Sequence, residues 1–364
     1  MLDKRKHKAV VLLSGGLDSL LSAKIMQEEQ GLEVLCLHFV SPFFGKPHLL
    51  EHWRAVHGLD IRPVDIGEEF AELLAARPLH GYGSVMNPCV DCKILMLRRA
   101  AGVMRETGAC CIVTGEVLGQ RPMSQRRDTL NIIRRDADLK GLLLRPLCAR
   151  HLEPTRAEED GLVDREKLYG FSGRSRKNQR ELAARFGIEE IPSPAGGCKL
   201  TEQETARSCW AVLKYTTQAR AADFYLVAAG RQLWHLPVEE GESALRLIVG
   251  RNEKDNAALQ RLAGPRDLLF STADLPGPTA LGRFSGREWP AGAVNAAASL
   301  TASYSGRAVR RFQESGRKTA VLMRAGNEEV LLSAAPVRDT APAFAEYTWN
   351  DAREDIRSSR TCGA

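Results

Sequence analysis

Residues 8–19 read KAVVLLSGGLDS: an apolar run rich in β-branched residues breaks at Ser14-Gly15-Gly16 and resumes as Leu17-Asp18-Ser19. The run 8–13 reads as a buried strand. The pattern over 18–29 puts Leu20, Leu21, Ile25 and Met26 on one side of a helix. A strand that feeds a glycine turn and then a helix leaves the first helical N–H groups without intrahelical partners. Those groups and the helix dipole favour an anion at the turn. Gly15 and Gly16 let the backbone approach that anion without Cβ interference. Ser14 and Ser19 add hydroxyl donors. Asp18 is unsuited to phosphate contact but suited to a Mg2+ ion bridging phosphates. The stretch lacks the spacing of a Walker loop or a dinucleotide fingerprint. A plain glycine turn with a helix cap is the bland alternative.

Outward from this stretch, residues 33–40 (EVLCLHFV), 61–66 (IRPVDI) and 110–114 (CCIVT) read as further strands. Residues 90–106 read as a helix with an apolar face of Ile94, Leu95, Leu97, Ala101 and Met104. Strands alternating with helices predict an α/β fold, a doubly wound parallel sheet whose ligand crevice lies at the carboxyl ends of the strands. Residues 161–200 are loop-rich and basic, with a turn cluster at Pro192, Pro194, Gly196 and Gly197. Beyond them the pattern predicts short strands at 221–227, 232–236 and 244–249, a helix at 255–262, and strands at 308–312, 319–323 and 329–332. Residues 353–364 read as a frayed polar tail. The boundary falls near residue 205, with the sheet domain over 1–204 and an α+β domain over 205–364.

The composition fits two globular domains and excludes a disordered chain: 364 residues, 44% hydrophobic and 26% charged. No apolar run is long enough to span a bilayer, and the N-terminal MLDKRKHK lacks a cleavage-site pattern. A cytoplasmic protein is expected, without a membrane partner. In that compartment the nine cysteines are expected to be reduced, so spaced pairs point to metal binding or catalysis. The net charge of +6 allows a nucleic-acid partner without demanding one.

Residues 87–93, NPCVDCK, place Cys89 and Cys92 in a C-x-x-C pair after an Asn-Pro turn, and residues 193–201, SPAGGCKLT, put Cys198 in a glycine-rich loop. The residues alone leave several readings open. The three thiols could form a sulfur-handling centre, or a zinc site closed by a fourth ligand such as His80. A redox pair opening a helix is a further reading, but it gives Cys198 no place. Cys36, Cys110, Cys111, Cys148 and Cys209 read as core residues, and Cys362 as incidental.

SGGLDS after a strand resembles the PP-loop of N-type ATP pyrophosphatases, which cleave ATP between the α- and β-phosphates and adenylate an oxygen of their substrate. The resemblance implies ATP and Mg2+ as cofactors, held by Ser14, Gly15, Gly16, Asp18 and Ser19. It puts adenine and ribose near the end of the second strand, at His38. NPCVDC resembles the Asn-Pro…Cys motif of tRNA 2-thiouridylases. Residues 114–127, TGEVLGQRPMSQRR, resemble a nucleotide-site segment of 4-thiouridine synthases. There Gly115 would admit the nucleotide, Gln120 and Gln125 would hydrogen-bond, and Arg121, Arg126 and Arg127 would bind phosphate of ATP or RNA, with Arg121 and Arg126 expected as RNA contacts. The pair plus a remote cysteine is similar to tRNA thiolases carrying a 4Fe-4S cluster, which implies Cys89, Cys92 and Cys198 as metal ligands. The implied function is ATP-dependent tRNA uridine thiolation, with Cys89, Cys92, Cys198 and Asp18 catalytic and with sulfide or a cysteine desulfurase as sulfur donor. Asp91 is placed for proton transfer by position alone. The alternatives are a persulfide route through the same cysteines, a PP-loop ligase acting on a small molecule, and an RNA-binding protein with a vestigial loop.

The densest basic stretch is 169–185 (YGFSGRSRKNQRELAAR), where Arg174, Arg176, Lys177 and Arg180 fall within seven residues. It reads as a contact to an RNA phosphate backbone or as a solvated helix start. Further on, LRLIVGRNEKDN at 245–256 resembles the R domain of NFACT proteins, which are linked to RNA. Locally it reads as a tight turn at Gly250 with Asn252 or Asp255 capping a helix.

Overall fold

Ala9, Val10 and Val11 are fully buried in strand β1 (Lys8–Leu12), as a β-branched run covered on both faces requires. The structure is a computed structural model that describes residues 8–190, 197–236, 243–340 and 343–361, with side chains described through Ile356. After β1 come α1 (Leu17–Lys24), which continues as a π-helical turn over Ile25–Glu29, then β2 (Glu33–Val40) and α2 (Leu50–His57). β3 (Asp60–Asp65), α3 (Gly67–Ala75), α4 (Cys89–Thr107) and β4 (Cys111–Thr114) follow. α5 (Arg127–Asp136), β5 (Leu143–Leu144), α6 (Arg156–Glu159) and α7 (Lys177–Arg185) complete the first of two units, Met1–Thr201.

The sheet of this unit has five strands in the order β3-β2-β1-β4-β5, all parallel. β1 pairs with β2 from Lys8↔Glu33 to Leu12↔Leu37, and with β4 from Ala9↔Cys111 to Leu12↔Thr114. The chain leaves β1 toward β2 and β3, then returns on the other side at β4. The topological switch therefore opens between the carboxyl ends of β1 and β4, where the Ser14–Ser19 turn and residues 115–125 begin. The doubly wound parallel sheet is as expected.

The second unit, Glu202–Ala364, holds α8 (Gln203–Tyr215), α9 (Ala221–Tyr225), β6 (Arg231–His235), β7 (Leu245–Val249) and α10 (Glu253–Leu262). β8 (Leu268–Thr272), β9 (Thr279–Arg283), α11 (Ala291–Ser303), α12 (Gly306–Ser315), β10 (Thr319–Ala325), β11 (Glu328–Ala334) and α13 (Trp349–Thr361) follow. Its six strands run antiparallel in the order β11-β10-β8-β9-β7-β6. Side chains alternate across it: Leu247, Val249 and Ala280 pack with α11, while Ile248 and Leu281 pack with Leu259 of α10.

Three expectations fail in this unit. Residues 221–227 form α9 and a 3-10 turn instead of a strand, because Asp223 turns back to accept from the Arg220 N–H at 2.9 Å and caps an alanine-rich start. Residues 308–312 lie inside α12, where Ser305 caps the start and Gly316, at φ +68, ends it. The tail expected to fray contains α13, which buries Ala352 and Ile356, four apart, after Thr348 and Asp351 bond across its first turn.

Arg246 of β7 is 1% exposed and fully bonded, donating to Gln232 Oε1 (2.7 and 3.0 Å) and to the Asp223 carbonyl (3.0 Å). Burial lowers its pKa to about 10, against the pull of Asp223. Replacing it strands those acceptors and opens a cavity. Arg246→Ala is expected to cost about 3 kcal/mol or more, read as a lower denaturation midpoint of the full chain.

Candidate active site

Gly15 sits at φ +77, and a Cβ there would fall 2.1 Å from Cη2 of Trp53, so the loop closes under the indole only as glycine. Gly16 precedes α1 without any side-chain cap, and the Ser19 N–H turns back to the Gly16 carbonyl at 3.1 Å, so the Leu17 and Asp18 N–H groups are the ones a ligand would meet. Ser19 braces the turn: its hydroxyl donates to the Gly16 carbonyl (2.8 Å), accepts from the Ser14 N–H (3.2 Å) and meets Ser14 Oγ at 3.2 Å. His38 is buried beneath. Its Nε2 accepts from the Lys46 N–H (2.8 Å), which makes Nδ1 the donor to the Leu13 carbonyl (2.9 Å). Both ring nitrogens are thus committed to backbone, and burial lowers the pKa of the ring. His38 orients the strand end feeding the loop through both ring nitrogens.

Gly115, directly after β4, abuts the same loop. A Cβ there would lie 2.5 Å from the Asp18 carbonyl and the Ser19 nitrogen. Its smallness is required by loop packing. Farther along, Gln120 Nε2 donates to Asp18 Oδ2 at 2.7 Å, and Gln179 Nε2 of α7 donates to Gln120 Oε1 at 2.9 Å. Asp18 Oδ1 is buried with no partner, which suits a bridging Mg2+. Gln125 is buried, and the Gly119 N–H donates to its carbonyl at 2.7 Å.

Sequence reasoning missed the charges beside this turn. Glu116 and Arg145 are a buried pair, with Arg145 Nε donating to Glu116 Oε2 at 2.9 Å and Thr114 Oγ1 donating to the same oxygen at 2.9 Å. Lys93, next to Cys92, lies 3.9 Å from Glu116 Oε1. Burial would raise the Glu116 pKa, but Arg145 and Lys93 together hold it below the ordinary carboxylate range. The signal was present as a glutamate directly after a strand-ending glycine.

The C-x-x-C pair opens α4 as expected, with Cys89 its first residue. Cys92 is held in thiol form by burial first, and then by the nearby Cys198 sulfur, with Cys89 and Asp91 adding to the effect. The three cysteines therefore share one neighbourhood. The Met86 N–H donates to the Leu200 carbonyl at 3.3 Å and the Lys199 N–H to the Phe43 carbonyl at 3.1 Å, which ties the Cys198 segment beside α4. The rest of the SPAGGC stretch, residues 193–196, lies outside the described residues. Asn87 Nδ2 donates to Cys89 Sγ at 3.0 Å and reaches Met123 Sδ at 3.9 Å. Among the described residues, no three His, Cys, Asp or Glu side chains form a metal-ligand set. His80, the candidate fourth zinc ligand, has its Nε2 on Asp136 at 3.0 Å. Asp91 accepts from the Leu79 and His80 N–H groups at 3.1 and 3.0 Å, so each of its oxygens braces the turn at 79–80.

Arg174, Lys177 and Arg180 are exposed and Arg176 half-buried, lining an open hollow of about 480 Å3 with Ser175 and Glu181. Arg121 is exposed at the start of the 121–125 turn and does not line this hollow. Arg126 pairs with the exposed Asp128 at 3.4 Å and is itself exposed, and Arg127 donates to the His151 carbonyl at 2.8 Å. In the second unit the VGRN stretch is accounted for locally. Asn252 caps α10, Arg251 pairs with Asp255 at 2.7 Å, and Asn256 Oδ1 would be 2.1 Å from a Cβ on Gly250. The cysteines expected in the core, Cys36, Cys111, Cys148 and Cys209, are buried, while Cys110 is half-buried. No helix among the described residues is long and apolar enough to cross a membrane.

Residues 5–153 match the family model of the thiamine biosynthesis protein ThiI, and residues 240–330 match that of the NFACT protein RNA binding domain. Both resemblances expected from the motifs are found. A probable tRNA sulfurtransferase of Thermococcus kodakarensis is 32% identical over 149 residues, 38% of this chain and 36% of that protein. One of Lysinibacillus sphaericus is 31% identical over 146 residues, 38% of this chain and 34% of that protein. The chain thus spans about a third of the length of these curated relatives. Among solved structures, the U34-tRNA thiolase NcsA from Methanococcus maripaludis with its 4Fe-4S cluster is 16% identical, covers 54% of this chain and 63% of its own, and has a TM-score of 0.32. A 4-thiouridine synthetase–RNA complex with bound ATP is 21% identical, covers 57% and 51%, and has a TM-score of 0.33. Likenesses at such scores do not bear on function. The phosphate loop, Cys89, Cys92 and residues 115–125 lie inside the first matched segment, whereas Cys198 and Arg174–Arg180 lie beyond it.

A histidine whose folded pKa is lowered contributes stability above its ordinary value of 6.5, and that contribution is lost as pH falls through the folded value. The unfolding free energy is therefore expected to decline below about pH 6.5. His57 is shifted in the same direction, so the share due to His38 is the part that His38→Gln removes from the pH profile in denaturant titrations.

Proposed function

We propose that the chain uses ATP to activate a uridine carbonyl of tRNA and replaces its oxygen with sulfur. One observation carries this reading. The turn 119–125 reaches Asp18 through Gln120 and reaches Asn87, beside Cys89, through Met123, so the phosphate loop and the cysteines border one crevice. The similarity of residues 5–153 to relatives described as probable tRNA sulfurtransferases supports it.

In this reading the Ser14–Ser19 turn binds the phosphates through first-turn N–H groups and serine hydroxyls. Asp18 presents Oδ1 to Mg2+ while Gln120 holds Oδ2. The substrate oxygen attacks the α-phosphorus and pyrophosphate leaves. A sulfur nucleophile then adds to the activated carbon, and AMP departs with the oxygen. With sulfide as donor the exchange is redox-neutral. A persulfide route through Cys89 or Cys92 would end in a disulfide with Cys198 and would need an external thiol reductant to reset it.

Cys89, Cys92 and Cys198 form the sulfur-transfer centre in either route. As donor types three thiols suit a 4Fe-4S cluster, and the Asn87 amide donates to Cys89, while the described side chains are not drawn together as a ligand set. Such a cluster would supply an open Lewis-acidic iron for sulfide. Lys93, held beside Cys92 by Glu116, keeps a positive charge where anionic sulfur and the leaving AMP would develop charge.

RNA affinity is assigned to two surfaces. In the first unit it is Arg174, Arg176, Lys177 and Arg180. In the second, which matches an RNA-binding family, α12 and the turn after it expose Arg307, Arg310, Arg317 and Lys318. Replacing Arg307, Arg310 and Arg317 together by Ala is expected to weaken tRNA binding uniformly across sequences. It should also flatten the log-affinity against log-salt slope by about 0.9 for each phosphate that is no longer neutralised, measured by filter binding.

The direct test incubates the protein with tRNA, ATP, Mg2+ and sulfide without oxygen and reads thionucleosides by mass spectrometry alongside AMP and pyrophosphate. Wild type is expected to form all three products. Asp18→Asn should lower AMP release about 100-fold or more. Cys92→Ala should abolish thiolation while keeping exchange of labelled pyrophosphate into ATP. Thiolation that persists in Cys92→Ala, or AMP release without any thionucleoside in wild type, would overturn the proposal.

A further inference from the structure

Gln179 is 1% exposed, yet it belongs to the first turn of α7 between the exposed Asn178 and Arg180. Its amide points inward to Gln120, which is 8% exposed and in turn holds Asp18. A buried chain of two amides therefore joins the basic start of α7 to the carboxylate that presents Oδ1 at the phosphate loop. From these contacts we infer that Gln179 and Gln120 are positioning residues that couple RNA docking at α7 to the Mg2+-nucleotide site.

The direction of each amide is dictated by chemistry. Asp18, as a carboxylate, only accepts, so Gln120 must turn Nε2 toward it and Oε1 away. Gln120 Oε1 then needs a donor, which Gln179 Nε2 supplies at 2.9 Å. If α7 shifts, Gln120 loses that donor and is free to rotate. Asp18 Oδ2 then loses the Gln120 amide, and the carboxylate is no longer held with Oδ1 toward the phosphates. The start of α7 has a second tie to the same region: the Gly173 N–H donates to the Leu118 carbonyl at 2.8 Å, next to the turn that carries Gln120. A hollow lined by Arg174, Arg176, Lys177 and Arg180 is the surface on which a phosphate backbone would load this element. A bound backbone would steady α7, hold the amide chain in register and favour Mg2+-ATP.

Coupling of this kind is reciprocal: whatever factor RNA contributes to nucleotide affinity, the nucleotide contributes to RNA affinity. The inference rests on the roles proposed above for Asp18 and for the α7 surface, and the experiment separates the two. Unfractionated tRNA and a non-hydrolysable ATP analogue with Mg2+ are bound to the full chain, each with and without the other. Fluorescence reads nucleotide binding, since Trp53 covers Gly15, and filter binding reads tRNA. Wild type is expected to bind each ligand about 5-fold or more tighter in the presence of the other. Gln179→Leu should bind both ligands with the two affinities independent of one another. Gln179→Glu offers Gln120 an acceptor in place of a donor. It should turn Gln120 Oε1 toward Asp18 and weaken Mg2+-nucleotide binding below that of Gln179→Leu. Unfolding midpoints identify any variant that fails to fold, and the wild-type measurement stands without either variant. Two ligands that bind wild type independently would overturn the coupling alone, as would full coupling in folded Gln179→Leu. A wild type that binds neither tRNA nor nucleotide would overturn the functional reading and the coupling with it.

Discussion

No side chain fits between the end of β4 and the phosphate loop. At Gly115 a Cβ would stand 2.5 Å from the backbone of Asp18 and Ser19, so the two carboxyl ends at the switch point are locked together by backbone contact. Backbone packing of this kind fixes positions that flexible side chains cannot. From that contact, the turn after β4 carries Glu116 under Lys93 and Gln120 onto Asp18. The same turn continues to Met123, beside Asn87 and the start of α4. The parallel order of β1 and β4 thus brings the Ser14–Ser19 turn and the residues after β4 together, and the latter lead on to the start of α4.

Charge is arranged along that crevice with a consistent sense. The buried Glu116–Arg145 pair is satisfied at the oxygen facing Thr114 and Arg145, while the other oxygen lies 3.9 Å from the Lys93 ammonium. Removing one member would leave the other charged and buried, which is costly. The pair therefore pins Lys93 near Cys92. Asp18 repeats the design, with one oxygen held by Gln120 and the other buried without a partner. Oxygens buried with unmet demand suit a site whose ligand brings a metal ion.

The first unit was legible because its signals are local and strong. A β-branched run, a glycine turn and a helical period specify strand, loop and helix without reference to the rest of the chain, and the strands of 33–40 and the helix of Cys89–Thr107 lie where they were read. The second unit was legible only in part. AVRRF alternates like a strand, yet Ser305 and Gly316 bracket it as a helix. The structural partners of His38 and Asp91 were invisible for a different reason: Leu13 and Lys46 for one, and Leu79 and His80 for the other, are backbone groups to which no motif points. The Gln179–Gln120–Asp18 chain spans 161 residues and was invisible to any reading by spacing. VGRN was visible, and its two polar side chains, Arg251 and Asn252, proved to bond Asp255 in the first turn of α10.

In the proposed reaction the Ser14–Ser19 turn and the cysteines act in sequence on one substrate carbonyl, first at its oxygen and then at its carbon. Its most direct measurement is the fate of the oxygen. tRNA carrying 18O at its uridine carbonyls is thiolated with unlabelled ATP in ordinary water, and the released AMP is weighed by mass spectrometry. The account predicts one 18O in AMP for each sulfur incorporated, because the carbonyl oxygen leaves on the α-phosphorus. AMP that carries no label while sulfur enters the RNA would contradict it.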